Sequence, residues 1–513
     1  MELKLSRKVE IGIFITLILF ALLFPFLGYL DKPVVWFDEG ITIEIARNFA
    51  LYGKLDVITA PGVFSGFPYL VGTNGYPLTL PLAAFFKVFG VGLFEARVYM
   101  LSWFLATIGL VYFVTRKFFG VFSAIASTML VVSFASFYGN GLTATGEMPG
   151  IFFFLLGLWT LVGKKNYFLT GIVWGLAMAS KPGAFLLLAH TVVFYVLLVD
   201  RNQWFKKLLK AGCGFLIPVM LWILLVFPLT TKTLYSIIEY VVNPIDIPVV
   251  SRLLEKHSTD TLYQGLIIPH TQSVTENILR NLKLFVTHST LIYFSILVIV
   301  ILISFIWRRE MNEREKKVIY ILLIYGCLTI FFFIRGPGWL RYLIGLQILI
   351  FILLYPAFQR LSTWFVSKLK VYRFERVYLS IATILFLFTM QTFHLYFFSN
   401  IPDSKGAREF IADLTGVNGP MSVDKKIIVG LYNVPEVAAF TDPRRTYHML
   451  LPQDGLKALG ESPLLMKSPP DIIVINNENL LIGEQEKIIL ETLYDHLPNI
   501  RKFNVYVKKI LIK

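Results

Sequence analysis

Residues 11–40 read IGIFITLILFALLFPFLGYL and then DKPVVWFDEG. The first of these runs is apolar and long enough to cross a hydrocarbon core of about 30 Å as one helix. Basic residues precede it and no small-residue cleavage site follows, so it predicts an uncleaved membrane helix rather than a signal peptide. The second run places two adjacent carboxylates, Asp38 and Glu39, just beyond that helix. At that position they can hold a cation, take a proton or cap a helix.

The composition indicates that most of the chain lies in a membrane. Of 513 residues, 56% are hydrophobic and 16% are charged, which is more apolar surface than a soluble protein of this size could bury. The net charge of +15 does not indicate nucleic acid, because Lys and Arg cluster in short runs between apolar stretches, as in cytoplasmic loops. Both cysteines lie in apolar spans and predict no disulfide.

Eleven stretches have the length and composition of spanning helices. They are approximately 10–30, 97–115, 118–138, 147–163, 166–181, 182–199, 211–229, 286–307, 318–334, 340–358 and 377–397. A further apolar stretch, 76–90, is shorter, carries Lys87 and contains two prolines, so it predicts an interfacial helix on the membrane surface. With a cytoplasmic N-terminus this count keeps the basic runs inside, whereas counting 76–90 as a span would place nearly all of them outside.

This topology predicts an all-α polytopic protein of the cell membrane, with about eleven transmembrane helices and interfacial helices in the first outer loop. The membrane domain is expected to cover 1–398, with outer loops at about 31–96 and 230–285. Residues 399–513 predict a small extracytoplasmic α/β domain, because β-branched runs alternate there with helical stretches. The β-branched runs are 426–429 and 471–475, and the helical stretches are about 404–414 and 484–497.

Acidic and basic residues avoid the predicted spans and collect at their outer ends. Ion-coupled transporters usually need such residues near the membrane midplane. The charged residues at the outer boundary are Asp38, Glu39, Glu44, Arg47, Arg97, Glu147, Lys181, Arg335 and Arg341. Together they could form a pocket in which cations hold a phosphate and a carboxylate activates a nucleophile.

Several motifs resemble those of one group of membrane enzymes. WFDE at 36–39 resembles its acidic first-loop motif, and GYPLTLP at 75–81 resembles its loop segment with Tyr or His before proline. The other matching elements are VGLFEAR at 91–97, TRKFFG at 115–120, TGEMP at 145–149, WGLAMASKP at 174–182 and RYL at 341–343. In their order and spacing they resemble the GT-C glycosyltransferases, in the branch of the protein O-mannosyltransferases and the lipid A aminoarabinose transferase. The resemblance is strongest over about residues 10–200.

The resemblance implies a GT-C fold and an inverting transfer of a sugar from a polyprenyl-phosphate donor to an acceptor on the extracytoplasmic face. Asp38 is then the expected general base, and Glu39 is a second catalytic acid that orients Asp38 or binds a metal. The cations expected at the donor phosphate are Arg97, Lys181, Arg335 and Arg341. Asp38 and Glu147 could share a divalent metal cation. Some relatives have Lys and two prolines where this chain has Tyr76, Pro77 and Leu78, so contacts made by that Lys do not transfer.

Each candidate residue also has a purely structural interpretation. Asp38 would cap a helix beginning near Gly40, and Glu39 and Glu147 would be first-turn acids favoured by the helix dipole. The cations would anchor lipid headgroups. Two other functions remain as alternatives, a polytopic lipid or sugar transporter or flippase and a non-enzymatic assembly or receptor subunit. The sugar, the acceptor (protein, lipid or glycan) and the polyprenol stay open.

Overall fold

The structure is a computed structural model. It describes residues 5–27, 32–60, 62–65, 72, 74–226, 274–306, 311–336, 338–368, 373–398, 405–415, 427–432, 434, 437, 446–450, 469–476, 484–500 and 503–509. Most of the predicted second outer loop, 230–285, therefore lies outside the described residues.

The described chain is mainly helical. In chain order the α-helices are α1 Arg7–Phe26, α2 Phe37–Tyr52, α3 Tyr76–Phe89, α4 Leu93–Phe119, α5 Val121–Val132, α6 Ala135–Gly141, α7 Glu147–Leu158, α8 Tyr167–Ser180, α9 Pro182–Phe185, α10 Leu187–Leu198, α11 Trp204–Val226, α12 Val274–Thr287, α13 Ser289–Phe305, α14 Glu313–Arg335, α15 Ile344–Lys368, α16 Arg373–Phe393, α17 Lys405–Thr415 and α18 Glu484–Leu493. A π-helical turn, Trp159–Gly163, extends α7, and a 3-10 turn, Leu340–Leu343, precedes α15.

Two compact units make up the chain. The helical unit comprises Met1–Leu27, Ser102–Gly141 and Gly146–Asn400, and the mixed unit comprises Gly28–Leu101, Leu142–Thr145 and Ile401–Lys513. The change of unit at residue 400 lies close to the predicted boundary at 398. The first outer loop, in contrast, groups with the C-terminal region, and it forms secondary structure of its own.

Within the helical unit, small residues let helix backbones approach closely. Gly171 of α8 faces α11, and Gly214 of α11 faces α8. A Cβ atom on Gly214 would lie 2.1 Å from the carbonyl oxygen of Phe168, and one on Gly171 would lie 2.1 Å from that of Ala211. Close backbone packing of this kind supplies van der Waals contact between helices where lipid removes the hydrophobic driving force.

The predicted spans all correspond to helices in the structure. Six described helices are long and apolar enough to cross a membrane, and two bent pairs, α5 with α6 and α12 with α13, raise the number to as many as eight. The other three predicted spans are shorter apolar helices, Glu147–Gly163, Tyr167–Ser180 and Pro182–Leu198. Eleven crossings stay a prediction. The predicted interfacial helix is α3, whose 14 residues reach about 21 Å, short of the hydrocarbon thickness.

The mixed unit combines the first loop with a small sheet. In the loop, α3 packs against α2 and buries Leu78 and Leu82, and β1 (Ile58–Ala60) pairs antiparallel with β2 (Val63–Phe64). The C-terminal strands are β3 Ile428–Tyr432, β4 Thr446–Leu450, β5 Ile472–Asn476, β6 Tyr494–Ile500 and β7 Phe503–Lys508, in the sheet order β4-β3-β5-β7-β6. β3 is parallel to both β4 and β5, whereas β7 runs antiparallel to β5 and β6.

One predicted boundary in this domain is wrong. The helix predicted over 484–497 ends at Leu493, and the residues from Tyr494 onward form β6. The pairing of β6 with β7 supplies the backbone hydrogen bonds there, which local sequence alone does not reveal.

Candidate functional site

The WFDE motif forms the first turn of α2, a helix that is buried from Glu39 to Asn48. Trp36 is the N-cap residue and Phe37 is the first helical residue, so Asp38 and Glu39 occupy the second and third helical positions. Asp38 is therefore not the helix cap, because the helix begins about three residues earlier than expected. The helix dipole still favours both acids at this end.

Glu39 is completely buried, and both of its carboxylate oxygens are occupied. Oε2 accepts a hydrogen bond from Nη2 of Arg97 at 2.9 Å, and Oε1 accepts one from the backbone N–H of Ala144 at 2.9 Å. The backbone N–H of the N-cap residue, Trp36, also donates to this carboxylate. This is one of the two hydrogen bonds of a capping box, and the second is missing because Trp36 has no hydroxyl to accept it. Burial raises the pKa of Glu39, and the charge of Arg97 opposes that rise.

Arg97 forms a buried ion pair with Glu39 of the acidic motif. Its side chain is 1% exposed, and Nη2 also donates to the carbonyl oxygen of Pro33 at 3.0 Å. Nε and Nη1 find no hydrogen-bond acceptor among the described residues. The guanidinium thus connects Glu39 to the strand of chain that leads into α2.

Asp38 is half-buried, and its backbone is fixed by a residue that the sequence analysis missed. Its carbonyl oxygen accepts hydrogen bonds from Oγ1 of Thr42 at 2.8 Å and from Nδ2 of Asn74 at 3.2 Å. Asn74 is 1% exposed and also donates to Thr42 at 2.6 Å. Its one signal in the sequence was its position directly before the GYPLTLP segment, which begins at Gly75.

Two further polar contacts stabilise α2 from within the same unit. Glu44 and Arg47 form a buried ion pair at 3.1 Å, three residues apart on the helix. Nδ2 of Asn48 donates to the carbonyl oxygen of Asp56 at 2.8 Å, where the chain leaves the helix. The sequence analysis placed Glu44 and Arg47 at the outer boundary but did not pair them.

The second charged cluster lies in the helical unit, and we call Glu147, Lys181 and Arg341 the Glu147 cluster. Glu147 is the first residue of α7 and is completely buried. Oε1 lies 3.9 Å from Nζ of Lys181 and 3.7 Å from Nε of Arg341. These are ion pairs beyond hydrogen-bonding distance, and neither carboxylate oxygen accepts a hydrogen bond from the described residues.

Backbone geometry brings these cations to Glu147. Lys181 stands between α8 and α9, where Pro182 starts the second helix, and its side chain is 4% exposed. Arg341 lies on the 3-10 turn before α15, with its guanidinium 4.8 Å from the ring centre of Trp339 and 5.8 Å from that of Tyr342. The cluster therefore carries two cations and one carboxylate, an arrangement that favours an anionic ligand.

Arg335, the fourth predicted phosphate contact, has a different environment. It is the last residue of α14, and its guanidinium lies 5.6 Å from the ring centre of Phe331. The ion pairs of Glu147 are with Lys181 and Arg341.

The predicted metal site, Asp38 with Glu147, gains little support from these donors. The described residues include no group of three or more His, Cys, Asp or Glu side chains that could hold a metal ion. Both oxygens of Glu39 are already occupied, and Glu147 faces two cations that would repel a divalent metal. The metal stays a prediction that the donor chemistry of these residues does not fit.

Comparison with known proteins connects this geometry to a fold. Residues 78–241 match the family model described as dolichyl-phosphate-mannose-protein mannosyltransferase. ArnT from Cupriavidus metallidurans bound to undecaprenyl phosphate matches with a TM-score of 0.56 and 14% identity, over 98% of this chain and 98% of that chain. No curated protein sequence matches the chain.

An archaeal enzyme has a similar fold. The Archaeoglobus fulgidus oligosaccharyltransferase, tethered with an acceptor peptide, matches with a TM-score of 0.54 and 12% identity, over 98% of this chain and 74% of that chain. Its complex with Zn and sulfate matches with a TM-score of 0.54 and 13% identity, over 96% of this chain and 73% of that chain. The predicted GT-C fold of a multi-pass membrane protein is thereby confirmed, and the matches support a membrane glycosyltransferase in general.

Proposed function

We propose that this protein is an inverting membrane glycosyltransferase, which takes a sugar from a polyprenyl-phosphate donor and transfers it to an acceptor hydroxyl on the extracytoplasmic side. The observation that carries the proposal is the Glu147 cluster. Its buried carboxylate holds two cations close together without hydrogen bonding to either, at the end of membrane helices. The ArnT structure of similar fold contains undecaprenyl phosphate, a ligand of the proposed chemical class.

In this proposal Lys181 and Arg341 hold the donor phosphate. A guanidinium presents a planar fork of donors that fits phosphate oxygens, and an ammonium adds a compact charge. The rings of Trp339 and Tyr342 limit the positions open to the Arg341 guanidinium before the donor arrives. Cations fixed in advance stabilise the charge that grows on the leaving phosphate at little reorganisation cost.

Asp38 is the proposed general base. Its carboxylate would take the proton of the acceptor hydroxyl while the acceptor oxygen attacks the anomeric carbon. The bond between that carbon and the phosphate oxygen breaks, and the polyprenyl phosphate leaves. Attack from the face opposite the leaving group inverts the anomeric centre.

Glu39 and Arg97 have a positioning role in this scheme. Both oxygens of Glu39 already accept hydrogen bonds from Arg97 and Ala144, so they are not open to an acceptor hydroxyl. Nη2 of Arg97 is engaged by Glu39 and Pro33. We therefore favour Arg97 as the residue that holds the acidic motif, in place of the predicted contact with donor phosphate. Arg335 remains a proposed phosphate contact.

The test separates donor binding from transfer. Purified protein in nanodiscs would be loaded with undecaprenyl phosphate, and the retained lipid counted by native mass spectrometry. Transfer would be followed with a panel of undecaprenyl-phosphate sugars, by release of undecaprenyl phosphate. We expect Lys181→Gln to retain less lipid, and Asp38→Asn to retain it normally but to lose roughly 10²–10⁴-fold in transfer rate.

Asp413→Asn provides the matched control, since it removes an exposed acid from α17 of the mixed unit. Unchanged lipid retention in Lys181→Gln and Arg341→Gln, or full transfer by Asp38→Asn, would contradict the proposal. Movement of labelled lipid across vesicles without any transfer would favour the flippase instead.

A further inference from the structure

Six lysines surround one cavity of about 800 Å³ in the helical unit. They come from three separate helix ends, and we call the space between them the lysine cavity. The lysines are Lys164 and Lys165 before α8, Lys206, Lys207 and Lys210 at the start of α11, and Lys317 at the start of α14. The cavity also contains one carboxylate, that of Asp200, which follows α10.

Asp200 is already neutralised by neighbours. Nζ of Lys207 lies 2.5 Å from Oδ1 of Asp200, and the Tyr167 hydroxyl donates to Oδ2. Lys207 also donates to the carbonyl oxygen of Asp200 at 3.1 Å. The other five lysines have no carboxylate within 4.0 Å among the described residues, and Asp200 is the one carboxylate among the residues that line the cavity. The cavity therefore keeps an excess of positive charge.

The turns that present these lysines have an uncommon backbone. Lys165 has φ of 53° and Gln203 has φ of 52°, and they are the two non-glycine residues with positive φ in the described chain. Both line the lysine cavity. A left-handed conformation costs a non-glycine residue about 1 kcal/mol or more, so the surrounding contacts hold both turns in place.

The cavity opens beside apolar side chains. Phe168 lines it and is exposed. Trp204 and Phe205, also exposed, are the first two residues of α11 and directly precede Lys206. Aromatic residues at the ends of membrane helices typically lie at the level of lipid headgroups. A ligand of this site would meet cations on one side and acyl chains on the other, which is the chemistry of an anionic phospholipid.

The lysine cavity and the Glu147 cluster lie at opposite ends of the same helices. α7 starts at Glu147 and its π-helical extension ends just before Lys164, while α8 starts beside Lys165 and ends just before Lys181. At 1.5 Å per residue these helices separate the two sites by roughly 20–25 Å. The cavity therefore belongs to the other membrane surface, the one that the positive-inside rule identifies as cytoplasmic.

We propose that the lysine cavity binds the phosphate headgroup of an anionic phospholipid on the membrane surface opposite the Glu147 cluster. Its phosphate would attract the lysines at the ends of α7, α8, α11 and α14 and so hold these helix ends together. This binding is separate from the proposed sugar transfer and would persist if that function were disproved.

The experiment uses the full chain in nanodiscs of phosphatidylcholine alone or of phosphatidylcholine mixed with phosphatidylglycerol. Native mass spectrometry counts the retained phosphatidylglycerol, and thermal unfolding reports whether it stabilises the protein. We expect phosphatidylglycerol to be retained and to raise the Tm. The variant K206Q/K210Q should retain it on the order of tenfold less, since each lysine near a membrane surface contributes measurably to anionic lipid binding.

The matched control is K8Q/K117Q, which removes two exposed lysines from the ends of α1 and α4 outside the cavity. It should retain phosphatidylglycerol as the wild type does. Lys317→Gln, on a different helix, provides an independent variant if K206Q/K210Q unfolds in phosphatidylcholine nanodiscs. Both cavity variants should unfold at the wild-type Tm in phosphatidylcholine alone.

Two results would overturn the proposal. One is an equal loss of phosphatidylglycerol in K8Q/K117Q, which would reduce the effect to net charge. The other is an equal rise of Tm when inorganic phosphate or pyrophosphate is added to phosphatidylcholine nanodiscs, which would identify a soluble anion as the ligand.

Discussion

Glu39 and Glu147 are the same residue type, each in the first turn of a helix and each completely buried, yet they have opposite surroundings. Glu39 accepts hydrogen bonds on both oxygens, from one guanidinium and from backbone N–H groups. Glu147 accepts none from the described residues, and its two cations remain 3.7 and 3.9 Å away.

In the proposed function, the difference separates a structural carboxylate, Glu39, from one that lies in the donor-phosphate site, Glu147. A buried acceptor that is fully hydrogen-bonded recovers its desolvation cost and fixes the chain around it. A buried acceptor held only by ion pairs keeps its cations nearby without hydrogen bonding to them. In the proposal, an incoming phosphate therefore breaks no hydrogen bond to Glu147 when it binds these cations.

The largest effect on stability is expected when the ion pair of Glu39 is broken. Arg97→Met should lower the free energy of unfolding by about 3–5 kcal/mol, because it leaves Glu39 buried and uncompensated. Thermal and denaturant unfolding in nanodiscs would measure the loss. The double variant E39M/R97M should recover part of it by removing both charges. Wild-type stability in Arg97→Met would show that the pair is not structural.

A smaller effect is expected on donor binding at the Glu147 cluster. Arg341→Gln should weaken retention of undecaprenyl phosphate by about 1.5–3 kcal/mol, the contribution of hydrogen bonds to a charged group. Arg341→Lys should fall between this variant and the wild type, because it keeps the charge but loses the fork of donors. Competition binding measured by native mass spectrometry would rank the three, and equal affinities would remove the case for a phosphate contact.

The contact between Asn74 and the acidic motif predicts a still smaller effect. Asn74→Ala should cost about 1 kcal/mol of stability through the lost hydrogen bonds to Asp38 and Thr42. Because Asp38 is the proposed base, kcat should fall while the affinity for undecaprenyl phosphate stays unchanged. An equal loss in affinity would mean that Asn74 only supports the fold.

Glu147→Gln sharpens the comparison between the two carboxylates. It should lower the free energy of unfolding by less than Arg97→Met does, because it breaks ion pairs but no hydrogen bond of the described residues, and Arg341 is partly exposed. Unfolding in the same nanodiscs allows direct comparison with Arg97→Met. A loss as large as that of Arg97→Met would erase the distinction between the two carboxylates.

The motifs of the sequence singled out these charged residues but not their partners. Glu39 and Arg97 are 58 positions apart, and the sequence analysis assigned Arg97 to the donor phosphate. The structure pairs it with Glu39, because the start of α4 faces the first turn of α2. Asn74 was missed for the same reason, since its contact with Asp38 spans 36 positions and no local pattern marks it.

Two local features show why neighbouring residues alone were not enough. The alternative in which Asp38 caps its helix does not hold, because the helix begins at Phe37, and the backbone N–H of the N-cap residue Trp36 donates to the side chain of Glu39. The end of α18 was misplaced because Tyr494–Ile500 pairs with β7, and strand pairing overrides helix propensity.

Composition and segment length were enough to predict a polytopic membrane protein, whereas the GT-C fold was predicted from the resemblance of its motifs to a known group of enzymes. Apolar length and the distribution of basic residues are properties of single segments, and each segment's insertion into the bilayer depends on them. Only the fold shows which charged side chains contact each other. It gives Glu39 hydrogen bonds on both oxygens, and it places Glu147 near two cations. Those outcomes depend on contacts between segments far apart in the chain, where a shift of a few ångströms changes a hydrogen bond into an open binding position.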